Sequence, residues 1–352
     1  MANRSYHDKE KHNNLIRLRE IISTLPEFCF EFFLGIENNT APRTRIAYGY
    51  DLRIFFDYIL EYKYKKKTLE TLTLKDLENI SPEDIERYSE YLNYYRRLDK
   101  KTGNYIEHEN DEKGKLRKLS AIRTLYRYFY KKRKIEKNPS ELINMPKIHD
   151  KNIVRLEADE VANLLDIVET GRGLTDAQLK FHEKTKLRDL ALVTTLLGTG
   201  IRVSECVGIN VTDIDFKING IKITRKGGSE SVVYFGNEVK DSILNYLDNR
   251  SSHSKVIEAE ALFLSLQGKR LTTRAVQNIV KKYSKLVTSL KNISPHKLRS
   301  TYGTSLYRAT GDIYLVADVL GHRDVNTTKK HYAQISDDIR RKAANAVKLR
   351  EE

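Results

Sequence analysis

Cysteines and long apolar runs are scarce in this sequence. Its 352 residues include only two cysteines, Cys29 and Cys206, which are far apart and belong to no CxxC pair. This scarcity argues against a disulfide framework and a thiolate zinc site, and it suits a reducing compartment. No stretch approaches the roughly 18 consecutive apolar residues of a membrane-spanning helix, and residues 1–14 lack the apolar segment of a signal peptide. We therefore expect a cytoplasmic protein that has no membrane partner.

Acidic residues are fewer than basic ones. The chain has 63 Lys and Arg against 48 Asp and Glu, which gives a net charge of +15 and a pI near 9.4. Such an excess favours a polyanionic partner, although a soluble basic protein without such a ligand remains an alternative. Charged residues make up 32% and hydrophobic residues 39% of the chain, which excludes a disordered chain and a membrane bundle. At roughly 150 residues per domain, the length predicts two domains.

The first part of the chain is predicted to be a helical domain. Residues 1–24 are polar and are interpreted as an N-terminal extension, helical or frayed. Between residues 25 and 143, apolar residues recur at helical spacing, and Pro42 and Ser81 mark helix starts. Residues 99–114 are polar, contain two glycines and are predicted to form a long loop. We therefore expect a cluster of about four helices in this part.

One predicted helix of this domain is strongly basic. Residues 115–134 contain nine Lys or Arg and no acid, while Leu119, Ile122, Tyr126 and Phe129 recur at helical spacing. One face can therefore pack on a core while the other faces carry positive charge. A charge run is usually a solvated face. Here the absence of acids and the interleaved tyrosines favour contacts with phosphates.

The second part is predicted to be mainly helical with one small sheet. A polar linker at residues 144–155 separates it from the first part. Residues 221–223 alternate like a strand, glycines 227 and 228 turn the chain, and residues 231–235 return. Helices are predicted over residues 188–197, after Thr272, from Ser294 onward, and over residues 312–320, 327–334 and 337–350. The pattern is that of a mainly helical α+β domain at residues 156–352.

The residues suited to chemistry lie next to predicted turns and helix ends. They are Arg202 in GTGIRVSE, Lys226 in TRKGGSE, His296 and Arg299 in SPHKLRST, His322 in LGHRD and Tyr332 in TTKKHYAQI. Arg202 follows a Gly-Thr-Gly break at a helix start, a position that favours anions, although a surface pair with Glu205 is an alternative. His296 and Arg299 lie on one helix face. The alternative for this pair is a structural role, as a helix cap and a salt bridge. A lysine at a hairpin tip and one tyrosine among 21 carry little weight alone.

Taken together, these residues favour metal-free phosphoryl transfer. Cationic side chains around a tyrosine would help its oxyanion to form, because the reference pKa of the phenol is about 10. A two-metal nuclease would instead need clustered carboxylates. The nearby acids Asp312, Asp318 and Asp324 are isolated, and the histidines are too scattered for a zinc site. We therefore predict that the protein uses neither a metal ion nor a cofactor.

The order of these motifs resembles the tyrosine recombinase (phage integrase) family. The stretches LENISPEDIERYSEYL and KTKLRDLAL are further similar to the single-recombinase Xer systems of Gram-positive bacteria. This resemblance covers most of the chain and implies a mainly α fold. Residues 25–143 would form a SAM-like core-binding domain that binds DNA. Residues 156–352 would form a mainly helical α+β catalytic domain with a small antiparallel sheet, ending in an oligomerisation helix at residues 337–350.

The resemblance also implies a reaction and the residues that perform it. The catalytic residues would be Arg202, Lys226, His296, Arg299, His322 and Tyr332. The tyrosine would attack the scissile phosphate and form a 3′-phosphotyrosyl bond, while the two arginines hold the non-bridging oxygens. The lysine would protonate the leaving 5′ oxygen, the first histidine would take or share the tyrosine proton, and the second would hydrogen-bond the phosphate. Strand exchange would pass through a Holliday junction in a homotetramer that binds two sites.

The expected partner is double-stranded DNA with a specific recombination site, with an accessory protein as a further possibility and a nucleoid-associated location. The predicted DNA contacts are Arg43, Thr44, Tyr48, Lys118 and Arg123 in the first domain, and Arg225, Thr273, Arg274 and Lys297 in the second. Chromosome-dimer resolution is favoured, and integration or excision of a mobile element is the alternative. A catalytically silent DNA-binding protein and a topoisomerase-like nicking and closing enzyme are alternatives of other classes.

Overall fold

The computed structural model describes residues 6–99, 102–148, 154–225, 227–251, 256–321 and 325. The chain divides into two compact units, Met1–Asp150 and Lys151–Glu352, and the division lies within the predicted linker at 144–155. Both units are mainly helical and contain small antiparallel sheets. The predicted fold class is therefore confirmed. None of the helices in these described ranges is both long and apolar enough to cross a membrane.

The N-terminal unit contains more helices than the sequence predicted. Its described elements are α1 (Tyr6–Ile22), α2 (Phe28–Gly35), α3 (Pro42–Tyr62), α4 (Leu74–Glu78), α5 (Pro82–Tyr91), β1 (Tyr94–Leu98), β2 (Tyr105–Glu109) and α6 (Glu112–Lys131). The helix starts predicted at Pro42 and Ser81 are confirmed. Ser81 caps α5 because its side chain accepts a hydrogen bond from the backbone N–H of Asp84. The short helix α4, which a similar cap at Thr73 begins, was not predicted.

The prediction of a loop over residues 99–114 is wrong. Residues of β2 pair there with β1 in an antiparallel hairpin, in which Tyr95 lies opposite His108 with ring centroids 5.0 Å apart. The strand escaped detection because Tyr105 and Ile106 are both exposed, so it lacks the alternation of apolar and polar residues typical of a half-buried strand. The chain therefore has a second small sheet, where only one was predicted.

The core of the N-terminal unit is built on aromatic residues. The apolar stripe of the basic helix α6 enters this core, since Leu119, Ile122, Tyr126 and Phe129 are fully buried. This part of the prediction for residues 115–134 is confirmed. Residues 1–24, interpreted as an extension, contain α1, which buries Leu18 and Ile21 in the same core.

The C-terminal unit combines a three-stranded antiparallel sheet with helices. Its described elements are α7 (Ala158–Thr170), α8 (Asp176–Thr199), α9 (Val203–Gly208), β3 (Ile214–Asp215), β4 (Gly220–Thr224), β5 (Glu230–Tyr234), α10 (Asn237–Ser251), α11 (Thr273–Val287), α12 (Pro295–Thr310) and α13 (Ile313–Leu320). The predicted hairpin is confirmed, with Ile221 opposite Val233. Helix α8 begins twelve residues before the predicted start at Arg188, because Thr175 and Gln178 form a capping box ahead of a polar first half.

The helix ends predicted near the candidate site are also confirmed. Thr272 caps α11 and Asp312 caps α13 through their side chains. Gly200 ends α8 and Gly321 ends α13, at φ angles of +62° and +61°. Both lie in the left-handed region that glycine adopts without strain. The helices predicted over residues 327–334 and 337–350 lie outside the described residues.

Candidate active site

Arg202 lies at the N-terminal end of α9, just beyond the glycine that ends α8. Its backbone N–H donates to Oε2 of Glu205 at 2.7 Å, and its Nη1 donates to Oε1 of the same carboxylate at 2.8 Å. The side chain of Glu205 is buried, whereas that of Arg202 is 33% exposed. The pairing with Glu205 considered above is therefore present. It also holds the guanidinium in place at the surface, with Nη2 donating to the carbonyl oxygen of Gly321 at 3.2 Å.

Arg299 reaches the same place from the second turn of α12. The residue is only 4% exposed. Its Nη1 donates to the carbonyl oxygen of Gly200 at 2.7 Å, and its Nη2 donates to the carbonyl oxygen of Leu320. The guanidinium therefore bridges the C-terminal ends of α8 and α13. His296, one turn earlier on α12, is exposed.

Arg225, predicted as a DNA contact, points into the protein. It follows the last residue of β4, and its Nη1 and Nη2 donate to the carbonyl oxygens of Leu320 and Val319 at 2.9 and 3.0 Å. Burial lowers the pKa of the guanidinium, the nearby Glu205 opposes that shift, and the positive charge of Arg202 adds to it. The guanidinium therefore binds carbonyls that have no partner within the helix itself, and a DNA contact through Arg225 stays a prediction.

Three arginines thus converge on the C-terminal end of α13, and we call Arg202, Arg225 and Arg299 the arginine cluster. The last carbonyls of a helix lack partners within the helix and carry partial negative charge, which attracts cations. These carbonyls are neutral overall, and the acids Glu205 and Asp318 supply two negative charges against the three positive ones. The cluster therefore retains an excess of positive charge beside a partly exposed guanidinium, an arrangement that binds anions such as a phosphate.

Three of the predicted catalytic residues, Lys226, His322 and Tyr332, lie outside the described residues. In the sequence, Lys226 directly follows Arg225 and His322 directly follows Gly321. The structure therefore brings together Arg202, Arg299 and the residues that immediately precede this lysine and histidine. Within the part of the chain that the structure describes, no His, Cys, Asp or Glu side chains form a group of three that could hold a metal ion.

Two predicted DNA contacts of the N-terminal unit, Lys118 and Arg123, donate to groups of the protein itself. Lys118 is only 5% exposed, and its Nζ donates to Oδ1 of Asn110 at 2.6 Å. Burial lowers the pKa of this ammonium group. Arg123 donates to the carbonyl oxygens of Ser140 and Ile143 at 3.1 and 3.2 Å. Both side chains therefore stabilise the unit itself, because they satisfy polar groups at the edge of its core.

Like these three residues, the other predicted DNA contacts remain predictions. Arg43 is exposed and pairs with Glu10, with 2.6 Å between Nη2 and Oε2. Thr44 and Tyr48 are half-buried on α3. In the C-terminal unit Arg274 is exposed, whereas Thr273 and Lys297 are half-buried.

Sequence reasoning missed the role of Arg225 as an anchor for α13. A basic residue at a hairpin tip gives no sign of the direction in which its side chain points. One available signal was Gly321, because a glycine beside a functional residue often marks a close approach of another group. That approach is observed, since a Cβ on Gly321 would lie 2.7 Å from Cζ of Arg225.

Comparison with known proteins places this chain in a family. The model of the phage integrase family matches residues 154–338. Tyrosine recombinase XerC of Leptospira interrogans (strain Fiocruz L1-130) is 31% identical over 308 residues, which cover 88% of each chain. Tyrosine recombinase XerC of Caldanaerobacter subterraneus is 32% identical over 320 residues, which cover 89% of this chain and 83% of the relative.

Solved structures share the fold. The XerH site-specific recombinase bound to palindromic difH substrate aligns with a TM-score of 0.62 at 19% identity, covering 87% of this chain and 80% of that chain. The lambda integrase dimer bound to a COC′ core site aligns with a TM-score of 0.58 at 14% identity, covering 84% of this chain and 94% of that chain. Because the family model matches more than half of the sequence and the XerC relatives align with nearly all of it, the chain belongs to the phage integrase family of tyrosine recombinases, enzymes that cleave and rejoin DNA strands.

Proposed function

We propose that this protein exchanges DNA strands at a specific site through a covalent 3′-phosphotyrosyl intermediate formed by Tyr332. The observation that carries the proposal is the arginine cluster. It gathers excess positive charge at the point where the chain continues into the motif that contains His322 and, ten residues later, Tyr332. Phosphodiester cleavage needs such a group of fixed cations, because negative charge builds up on the phosphate oxygens in the transition state.

The two arginines of the family pattern would hold the scissile phosphate. Arg202 is partly exposed and fixed by Glu205, so one edge of its guanidinium can donate to a non-bridging oxygen. Arg299 is buried and fixed by two backbone carbonyls, so it contributes a nearby positive charge that does not have to reorganise during the reaction. A phosphate that reaches this cluster exchanges water for donors that are already in position.

The covalent step balances without an outside reactant. The phenolic oxygen of Tyr332 attacks phosphorus, a bond forms between this oxygen and the 3′ phosphate, and the bond from phosphorus to the 5′ oxygen breaks. His296 takes or shares the proton of the tyrosine, Lys226 gives a proton to the 5′ oxygen, and His322 hydrogen-bonds the phosphate. Attack by a 5′ hydroxyl of the partner strand reverses these steps. The phosphotyrosyl bond conserves the energy of the phosphodiester, so neither ATP nor a cofactor is needed.

Strand exchange would take place in a homotetramer that binds two DNA sites and passes through a Holliday junction. The predicted helix at residues 337–350 would dock on a neighbouring subunit and couple the active sites. We favour chromosome-dimer resolution, because relatives named XerC align with 85–89% of this chain. Integration or excision of a mobile element is the alternative role. A gene that lies among mobile-element genes would favour this alternative, whereas a lone gene near the replication terminus would favour chromosome-dimer resolution.

A suicide-substrate assay tests the reaction. DNA that the wild-type protein retains from a genomic library supplies the site, and a duplex nicked next to the cleavage position traps the covalent complex. We expect wild type to form a protein–DNA adduct in excess chelator, and we expect Tyr332→Phe to bind the same DNA without forming one. Gel electrophoresis under denaturing conditions measures the adduct.

Four results would contradict this proposal. An adduct formed by Tyr332→Phe would assign the nucleophile to another residue, and an adduct lost in chelator would require a metal ion. Binding by wild type without any adduct would instead indicate a catalytically silent DNA-binding protein. Relaxation of a supercoiled plasmid that lacks the site would favour a topoisomerase-like enzyme.

A further inference from the structure

We propose that Arg225 is a positioning residue that fastens the β4–β5 hairpin, which carries Lys226, to the C-terminal end of α13, which precedes His322. This inference rests on the proposed function, in which Lys226 protonates the leaving 5′ oxygen. Neither the motif pattern nor the expectation of a DNA contact assigns Arg225 such a role.

The backbone of Arg225 closes the hairpin. Its N–H donates to the carbonyl oxygen of Ser229 at 2.7 Å, and its carbonyl oxygen accepts from the N–H of Gly228 at 3.0 Å. In the sequence, Lys226 lies between these bonded positions. Contacts that fix the position of Arg225 therefore also restrict the position of the next residue.

The side chain of Arg225 provides such contacts. Its guanidinium donates to two successive carbonyl oxygens, those of Val319 and Leu320, at the end of α13. Arginine suits this task because its planar fork can address both carbonyls at once, whereas the single ammonium of lysine cannot do so in the same geometry. The bonds link residues that are 94 and 95 positions apart in the sequence, so they connect elements that local structure would leave independent.

Gly321, at the end of α13, leaves the space that the guanidinium of Arg225 occupies. Its φ angle of +61° ends α13, and a Cβ at this position would come within 2.7 Å of Cζ and 2.9 Å of Nε of Arg225. Real Cβ atoms do not approach other atoms so closely, so a side chain at position 321 would push the guanidinium out of its present position. The contact therefore depends on the residues that directly precede both Lys226 and His322.

The anchor matters because proton transfer depends on distance. A general acid acts only within hydrogen-bond distance of the oxygen that it protonates, and a displacement of about 1 Å can cost roughly 100-fold in rate. Hairpin tips that are not tied to the rest of a protein are mobile. Anchoring the tip at Arg225 would hold the lysine near the leaving group, in register with the histidine that follows α13.

The two roles considered for Arg225 predict different defects. Loss of a phosphate contact raises the Kd for DNA and lowers its salt dependence. Loss of an anchor for the general acid instead slows cleavage at an unchanged Kd. The slowing should shrink when the leaving group needs no proton.

The experiment uses a matched pair of nicked substrates, one normal and one with sulfur in place of the bridging 5′ oxygen. A thiol has a reference pKa of about 8.5, so the sulfur leaves as a thiolate without help. With the normal substrate, we expect Arg225→Ala to form adduct roughly 100-fold more slowly than wild type and Arg225→Lys to be intermediate. With the sulfur substrate, we expect Lys226→Ala to recover to within about 3-fold of wild type and Arg225→Ala to recover by roughly 10-fold or more, the remaining loss being the charge that this variant removes from the arginine cluster.

Matched controls separate the possible outcomes. Arg172→Ala removes an exposed arginine of the same unit that bonds to Asn163, and it should match wild type with both substrates. Arg202→Ala should lose activity with both substrates, because its role is on the phosphate. Thermal unfolding shows whether each variant is folded, and the ratio of the two substrates removes any common loss of active protein.

An equal loss by Arg225→Ala with both substrates would overturn the inference, as would a raised Kd at an unchanged cleavage rate. A rate within about 3-fold of wild type with the normal substrate would also overturn it, since a displaced general acid costs more than that. Failure of the proposed function gives a different result, because wild type would then form no adduct with either substrate, or Tyr332→Phe would form one.

Discussion

Two clusters of buried charge in the C-terminal unit differ in where their donors point. In the first, Asp189 is fully buried, and its Oδ1 accepts from Nε and Nη2 of Arg188 at 2.9 and 2.6 Å. Its Oδ2 accepts from the hydroxyls of Thr185 and Tyr283 at 3.1 and 2.8 Å, and Nζ of Lys282 lies 3.5 Å away. We call this group the Asp189 cluster. Its donors surround one carboxylate.

The arginine cluster has the opposite arrangement. Arg225 and Arg299 donate to neutral backbone carbonyls, and the carboxylate of Glu205 serves Arg202. The donors of the Asp189 cluster therefore point at an acid of the fold, whereas two of the three arginines in the arginine cluster donate to groups that carry no net charge. The direction of the donors, more than the number of charged residues, therefore distinguishes a cluster that stabilises the fold from one that binds an anion. Substitutions in each cluster test this distinction.

The largest effect is expected from Arg299→Lys in the arginine cluster. Lysine keeps the charge but cannot bridge the carbonyls of Gly200 and Leu320, so the charge would no longer be held in place. We expect adduct formation to slow by about 10³-fold, the upper range for removal of one preorganised donor, with little change in the Kd for DNA. Single-turnover cleavage of the nicked substrate measures this rate, and a rate within a few-fold of wild type would contradict the assignment of Arg299.

The second substitution, Asp189→Asn, tests the Asp189 cluster. It leaves the charges of Arg188 and Lys282 without the carboxylate, and breaking a buried ion pair in this way costs about 3 kcal/mol. Urea unfolding should show this loss of stability, while the cleavage rate per folded molecule stays unchanged. Glu183→Gln is the matched control, because it breaks an exposed pair with Lys186 and should leave the stability close to that of wild type. Slower cleavage at unchanged stability would show that the two clusters do not divide their roles as described.

The sequence predicted what local signals determine. Ser81 and Thr272 announce helix starts because their side chains cap the next few N–H groups, and Gly200 and Gly321 announce helix ends because they adopt positive φ angles. Each signal involves residues that are close together in the sequence, so it can be recognised without knowledge of the tertiary structure. The order of the motifs added the family, and with it the grouping of Arg202 with Arg299.

The direction of long cationic side chains was not predictable in the same way. Lys118 and Arg225 lie in stretches of the sequence that would be expected to be exposed. Both side chains nevertheless donate to groups inside the protein. The partners of Arg225 are more than 90 residues away, so only the tertiary structure determines them. The strand β2 was missed for a related reason, because its pairing with β1 stabilises a segment that has no buried face of its own.

The smallest effect is expected from Tyr283→Phe, which removes one of several donors to Asp189. At pH 7 we expect a loss of about 1 kcal/mol, since the other donors remain. Burial raises the pKa of Tyr283 well above its usual range, and the charge of Asp189 adds to this shift. A raised pKa in the folded state means that the contribution of the neutral phenol is complete below the unfolded pKa of about 10 and is lost as pH rises beyond it.

The stability difference between wild type and Tyr283→Phe should therefore shrink between about pH 9 and 11. Urea unfolding at both pH values measures it, and other buried tyrosines do not interfere because both proteins contain them. Tyr234→Phe, at an exposed position, should show no such convergence. A constant difference would mean that the phenol is not held neutral by the Asp189 cluster. Slower cleavage by folded Tyr283→Phe would instead show that this cluster also supports the reaction, and the contrast with the arginine cluster would fail.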